Sequence, residues 1–375
     1  MGRSAVDGNL RMGRNVGRSS IIDRSMAYST YQGVYVRSLI SVLTLVLGAT
    51  TVTAQTAGTG TLVVANMADN TVTIIDLDSE TVLATLPTGP APHEIAVTAD
   101  GRYAVITNYG DRSGPGNSLT IIDLQTVTVA KTIDLGVYQR PHGIAVLPSR
   151  DVALVTSEVS QVVILVNLAT GEVESAIPTG GRASHMLALT GDGRRVYVSN
   201  IVDGTITEID LELGKPLRQV PIADFVEGIT VNPDGALVWI GSNKDKTVSV
   251  FDPESGTIVA TLDGFGFPYR MAVTPDSRTV VLSDPASGEI RIVDVATRQE
   301  RHRIVVPKDG VLPSAEIPGS PAPEGIALSR DNRMAYVSLQ GMNQAAAIDL
   351  GTGSIVALFD TGGWPDGIGY SPLTR

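Results

Sequence analysis

From residue 61 to the end the sequence repeats itself about every 42 residues, the length of one four-stranded propeller blade. Six segments align without a gap: PHEIAVTADGRYAVITN (92–108), PHGIAVLPSRDVALVTS (141–157), SHMLALTGDGRRVYVSN (184–200), VEGITVNPDGALVWIGS (226–242), PYRMAVTPDSRTVVLSD (268–284) and PEGIALSRDNRMAYVSL (323–339). In each, a short apolar run meets a turn of Asp-Gly type and continues into a second apolar run. That pattern is a β-hairpin, because Asp-Gly supplies the torsions the turn needs. A third strand follows and ends in Asp76, Asp123, Asn167, Asp210, Asp252, Asp294 or Asp349. A turn such as Thr170-Gly171 or Ser255-Gly256 then leads to a fourth strand.

The two ends of the repeat complete each other. Residues 61–89 hold only strands two, three and four of a period, and residues 365–372 (PDGIGYSP) hold only strand one. Joined, they make one blade and hide the sheet edges that an open array exposes. The expected fold is all-β: a seven-bladed β-propeller with four antiparallel strands per blade, closed by pairing of N- and C-terminal strands. No linker interrupts it, so residues 55–375 read as a single domain.

Residues 1–54 stand apart. Ser38–Ala54 is apolar, preceded by Arg37 and ended by Val52-Thr53-Ala54. A basic flank, a short apolar core and small residues before the cut describe a secretory signal cleaved after Ala54. Met26 is an alternative start. The expected location is periplasmic or secreted, with no stable membrane span after cleavage, since the apolar core is short for a bilayer. Zero Cys excludes disulfides, thiolate zinc and iron–sulfur sites and a cysteine nucleophile. Residues 55–375 carry 22 basic and 37 acidic side chains, a net charge of −15. Such a surface repels nucleic acid, which is not expected as a partner.

The repeat resembles the YVTN-type β-propellers through Tyr197-Val198-Ser199-Asn200, Tyr336-Val337-Ser338, Val64-Ala65-Asn66 and Ile106-Thr107-Asn108. The resemblance covers residues 61–375 and implies the fold. Similar propellers include lactonase-like enzymes, virginiamycin B lyase-like proteins, surface-layer proteins and secreted binding proteins, so it does not choose a function.

Function is sought where the repeat is broken. The residue just before the apolar run of strand one reads Asp366, His93, His142, His185, Glu227, Tyr269 and Glu324 around the ring. Three of the four His in the chain fall in this register, on consecutive blades. Strand one borders the central channel, so these side chains converge on one mouth. Imidazole with carboxylate suits a divalent transition metal such as Zn, Cu or Fe. The expected ligands are His93, His142, His185 and Glu227, and Glu324, Asp366 and Tyr269 across the channel are candidates to move protons or orient substrate. The other reading of the same ring is structural, with each His bonding a neighbouring carbonyl. His302, out of register, reads as a solvated outer residue.

Two insertions, Gly110–Asn117 and Lys308–Ala322, break the period, and strand alternation puts both on the His face. Inserted loops on one propeller face shape pockets. Strand two ends in Asn66, Asn108, Ser157, Asn200, Ser242, Asp284 or Leu339, read here as turn-making positions. Glu158, next to Ser157, departs from Tyr109, Ile201 and Met67 in its register and is a candidate acid or base.

No G-x-S-x-G, H-E-x-x-H, Walker loop or C-x-x-C-H is present. The expected function is a secreted propeller with a metal held by three His, acting on a small molecule by hydrolysis, elimination or metal-dependent oxidation. The alternatives are a non-catalytic binding scaffold for an envelope protein and a subunit of a periplasmic redox assembly whose cofactor another chain holds.

Overall fold

The structure is a computed structural model and describes residues 56–375. The signal segment expected at 1–54 lies outside the described residues. Seven four-stranded antiparallel sheets form the blades, each ordered one to four from the inside outward. Blade 1 pairs Pro365–Ser371 with Thr61–Asn66, followed by Thr71–Asp76 and Thr81–Pro87. Strand one of blades 2 to 7 is Pro92–Val97, Pro141–Val146, Ser184–Leu189, Val226–Val231, Met271–Val273 and Pro323–Leu328. Among the described residues no helix is long and apolar enough to cross a membrane.

Burial explains why the ring holds. Strands two and three are buried almost throughout, as in Thr61–Asn66 and Thr71–Asp76, whereas fourth strands such as Thr81–Pro87 are mostly exposed. Among the described residues seven apolar clusters form, and each straddles one pair of neighbouring blades. Val105 and Leu119 of blade 2 pack on Val155 and Ile164 of blade 3. Tyr336 and Ala345 of blade 7 pack on Leu62 and Ile75 of blade 1, closing the circle. Each fully buried Val, Leu or Ile contributes about 1.5–3 kcal/mol of transfer free energy.

The acids that end strand three cap the following turn. Asp123 Oδ1 accepts the backbone N–H of Gln125 and Thr126 at 2.8 and 3.2 Å, and Asp210 does the same for Glu212 and Leu213. The Asn residues that end strand two are not turn-makers, which corrects the sequence reading for them, whereas Ser242 and Asp284 do accept a turn N–H, from Asp245 and Ser287. Asn66, Asn108 and Asn200 are fully buried. Asn108 Nδ2 donates to Ser118 and Thr120, and its Oδ1 accepts the Gly89 N–H at 3.1 Å. These amides tie strand two to strand three and to the incoming chain. A buried amide must find such partners, and the sequence signature looked like turn chemistry only because Asn serves both roles.

Strand one carries a β-bulge near its start. In blade 2, His93 and Glu94 lie between the paired residues Pro92 and Ile95, where strand two offers one residue, Thr107. The bulge frees a backbone N–H, and the hydroxyl residue of strand two accepts it: Glu94 N–H bonds Thr107 Oγ1 at 3.0 Å and Met186 N–H bonds Ser199 Oγ at 3.1 Å. The same hydroxyls reach the next blade. Ser199 Oγ donates to the Glu227 carbonyl at 2.8 Å, and Thr156 Oγ1 to that of His185 at 2.5 Å. The Ser or Thr of the repeat motif therefore fixes the backbone of the ring residues.

Candidate metal centre

The ring is brought together and buried. His93, His142 and His185 are 8, 1 and 7% exposed, and Glu227, Glu324 and Asp366 are also buried. The three imidazoles stack in blade order, with centroids 4.1 Å apart for His93–His142 and 3.6 Å for His142–His185. Neighbouring first strands approach so closely that the residue after the ring position is Gly in four blades. A Cβ on Gly228 would sit 2.1 Å from the Tyr269 carbonyl oxygen, and one on Gly367 2.0 Å from that of His93.

The two ends of the His row differ. His185 lies between two carboxylates: Nδ1 contacts Glu158, and Nε2 contacts Glu227 at 3.1 Å. Burial alone would lower its pKa, but Glu227 and Glu158 raise it to about 9. Burial would raise Glu227, yet His185 and Arg270 bring it down to about 2. His142, in the middle, is held well below the ordinary value by burial and by the positive charges of His185, His93 and Arg270, so it is neutral. His93 is raised in spite of burial by its contact with Asp366. Glu324 beside Asp366 is pushed well up, by burial first and then by its carboxylate neighbours, which favours its neutral form.

Sequence reasoning missed four members of the site, Glu94, Arg270, Tyr109 and Asn243. Arg270, one residue past the ring register, is 4% exposed. Its guanidinium bridges Glu94 at 2.7 Å and Glu227 at 3.4 Å and stacks 3.9 Å from the Tyr269 ring. Tyr109, immediately before the first insertion, packs edge-on against His93 and His142 and donates to Glu158 at 2.6 Å. Asn243 donates to Glu227. Tyr109, Glu158 and Asn243 share one register, the residue after strand two. Their backbone N–H groups bond the carbonyls of Ala91, Arg140 and Phe225, which precede strand one of the same blades. Glu158 was visible as the odd member of that register, and Tyr109 and Asn243 were recoverable from the same comparison.

Tyr269 stands in the ring as expected, stacked on Arg270, and burial raises its hydroxyl well above the usual range. Among the described residues, two groups offer three ligand atoms within 4.8 Å of one another: His93, Glu94 and His142, and His142, Glu158 and His185. Glu227 is in neither, since its oxygens face His185, Arg270 and Asn243. His142 Nδ1 and Asp366 Oδ1 are buried without a hydrogen-bond partner, whereas His93 Nδ1 lies against the other carboxylate oxygen of Asp366. An unpaired imidazole nitrogen beside carboxylates fits the donor preferences of Zn, Cu and Fe.

A pocket of about 820 Å³ opens onto this cluster and is lined by His93, Tyr109, Arg140, Met67 and Trp364. Both insertions shape it. The first supplies Gly110 to Ser113, and the second fixes Trp364, whose Nε1 donates to the Ser314 carbonyl at 3.0 Å.

Fold and site together define a seven-bladed β-propeller with a buried His/Glu cluster capable of coordinating a metal. In sequence the chain is similar to the uncharacterized protein YncE of Salmonella typhi and to that of Salmonella typhimurium, each 25% identical over 240 residues. The similarity covers 60% of this chain and 63% of those proteins, less than two thirds of their length, and is consistent with YVTN-type propellers. Hydrazine synthase of Kuenenia stuttgartiensis shares the fold at a TM-score of 0.65 and 18% identity, covering 79% of this chain and 94% of that one. No family model matches the chain.

Proposed function

We propose that the cluster is a divalent transition-metal centre of an exported enzyme that acts on a small molecule. The observation that carries this is His142. It is buried, neutral and flanked by two imidazoles, and its Nδ1 has no partner. A buried nitrogen of this kind costs free energy unless something binds it. His142 holds the ion, with His93 and Glu94 or with His185 and Glu158 as the other ligands. Glu227 lies in neither group and serves His185, Arg270 and Asn243 instead. The metal supplies Lewis acidity, or redox chemistry if it is Cu or Fe. Glu324, neutral beside Asp366, is the proton donor on the far side, and Tyr269 orients the substrate against Arg270. Hydrolysis, elimination and oxidation all remain within this chemistry.

One specific observation favours a second reading, a non-catalytic scaffold. Both nitrogens of His185 are satisfied by carboxylates without a metal. Metal analysis of untagged protein decides between them. About one equivalent of Zn, Cu or Fe, lost in the His142→Ala, His185→Ala double variant with the fold intact, supports the centre. Metal-free protein that takes up none of these ions refutes it.

A further inference from the structure

We infer that the pocket above the His row binds a small organic anion with a flat apolar body, its carboxylate held by Arg140. This deepens the proposed function by naming what enters, and rests on it only for what happens after binding.

The residue immediately before strand one makes the argument. Around the ring it is Trp364, Ala91, Arg140, Ala183, Phe225, Phe267 and Ala322. In all but Phe267 the backbone is left-handed, with φ between 45° and 58°. A non-glycine residue there is costly, and small Ala is a natural occupant. Trp364 and Arg140 depart from Ala on either side of Ala91, in three consecutive blades. The short middle side chain leaves a gap between an indole and a guanidinium, with His93 of the middle blade bordering the same space.

The two large residues are held in place. Trp364 Nε1 bonds Ser314, leaving the indole as a wall. The Arg140 guanidinium lies 4.7 Å from the Tyr109 ring, and its backbone is pinned by Gly116 and Glu158. Arg140 makes no ion pair among the described residues. In a domain with a net charge of −15, a preorganised arginine without a carboxylate, over an aromatic face, is a feature an anion explains. The Asp111 carboxylate at the rim is turned toward Ser113, whose N–H it accepts at 2.7 Å. Met67, Ala68, Ala91, Tyr109 and Trp364 give the lining an apolar wall, which suits a ring or short hydrocarbon body. Arg112, at the exposed tip of the hairpin, assists capture without orienting the ligand.

The test uses phenylacetate as probe and its neutral amide, phenylacetamide, as control. The chain has two Trp, and Trp239 is fully buried between blades, so a ligand-induced change in emission reports on Trp364. Saturable binding of phenylacetate, at least about tenfold tighter than phenylacetamide, is expected with or without metal. Arg140→Gln removes that preference, Arg112→Gln reduces it less, and Ala91→Leu closes the gap. Arg and Trp already occupy this backbone conformation in the flanking blades, so Ala91→Leu is compatible with the fold. Equal affinity for acid and amide, no binding of either, or unchanged binding in Arg140→Gln overturns the inference. Anion binding by a protein that takes no metal removes the enzyme reading alone, and metal uptake without anion preference removes this one alone.

Discussion

Glu227 holds His185 Nε2 at 3.1 Å across the boundary between blades 5 and 4. The contact is between residues 42 positions apart, one repeat period, so it is a relation between equivalent places on neighbouring blades. With Glu158 on the other nitrogen, it makes His185 a buried imidazolium.

That charge state sets a pH dependence in metal-free protein. The His185 pKa is raised from 6.5 to about 9, so its contribution to stability is complete below 6.5 and is lost as pH rises through about 9. Glu227 is lowered from 4.5 to about 2, so its contribution is complete above 4.5 and is lost as pH falls through about 2. The pair therefore stabilises most between pH 4.5 and 6.5. NMR titration of His185 should show a midpoint far above 6.5 that drops in Glu227→Gln, and a midpoint at the ordinary value would contradict the clamp.

Removing the carboxylate altogether is a stronger perturbation. Glu227→Ala leaves His185 and Arg270 short of a counter-charge in a buried site, at a cost on the order of 3 kcal/mol. Urea unfolding at pH 6 measures it. A loss indistinguishable from that of an exposed control such as Glu254→Ala would show that the cluster is wet and screened.

Gly228 tests the packing of first strands. A Cβ there meets the Tyr269 carbonyl at 2.1 Å, a backbone atom that cannot rotate away. Gly228→Ala should destabilise by about 1–3 kcal/mol through overpacking and should weaken metal uptake by displacing Tyr269 and Arg270. Gly114, with open space around it and a backbone outside the left-handed region, is the control position.

Asn108 tests the correction to the strand-two motif. Asn108→Ala removes both amide donors and the acceptor of the Gly89 N–H, leaving buried groups unpaired, and should cost about 2–3 kcal/mol. A turn-making Asn at an exposed position would cost a few tenths. Thermal melts of Asn108→Ala beside those of the half-buried Asn117→Ala distinguish the two roles.

The sequence by itself determined the blades, their number and their closure. Those follow from alternation, turn residues and a fixed period, which are local properties repeated seven times. It also determined which positions share the channel mouth, because a repeat places equivalent residues on one ring. His93, His142 and His185 were legible for that reason, and Glu158 as the odd member of its register. Tertiary structure decided the rest. Only the bulge, which sets His93 and Glu94 against one residue of strand two, lets Glu94 and Arg270 meet across the channel at 2.7 Å. Only the packing of one blade on the next gives Glu227 to His185, Arg270 and Asn243 and leaves His142 Nδ1 unpartnered. Periodicity says which residues stand on the same ring. Distances across that ring depend on how seven sheets close on one another, and that is where partners are chosen.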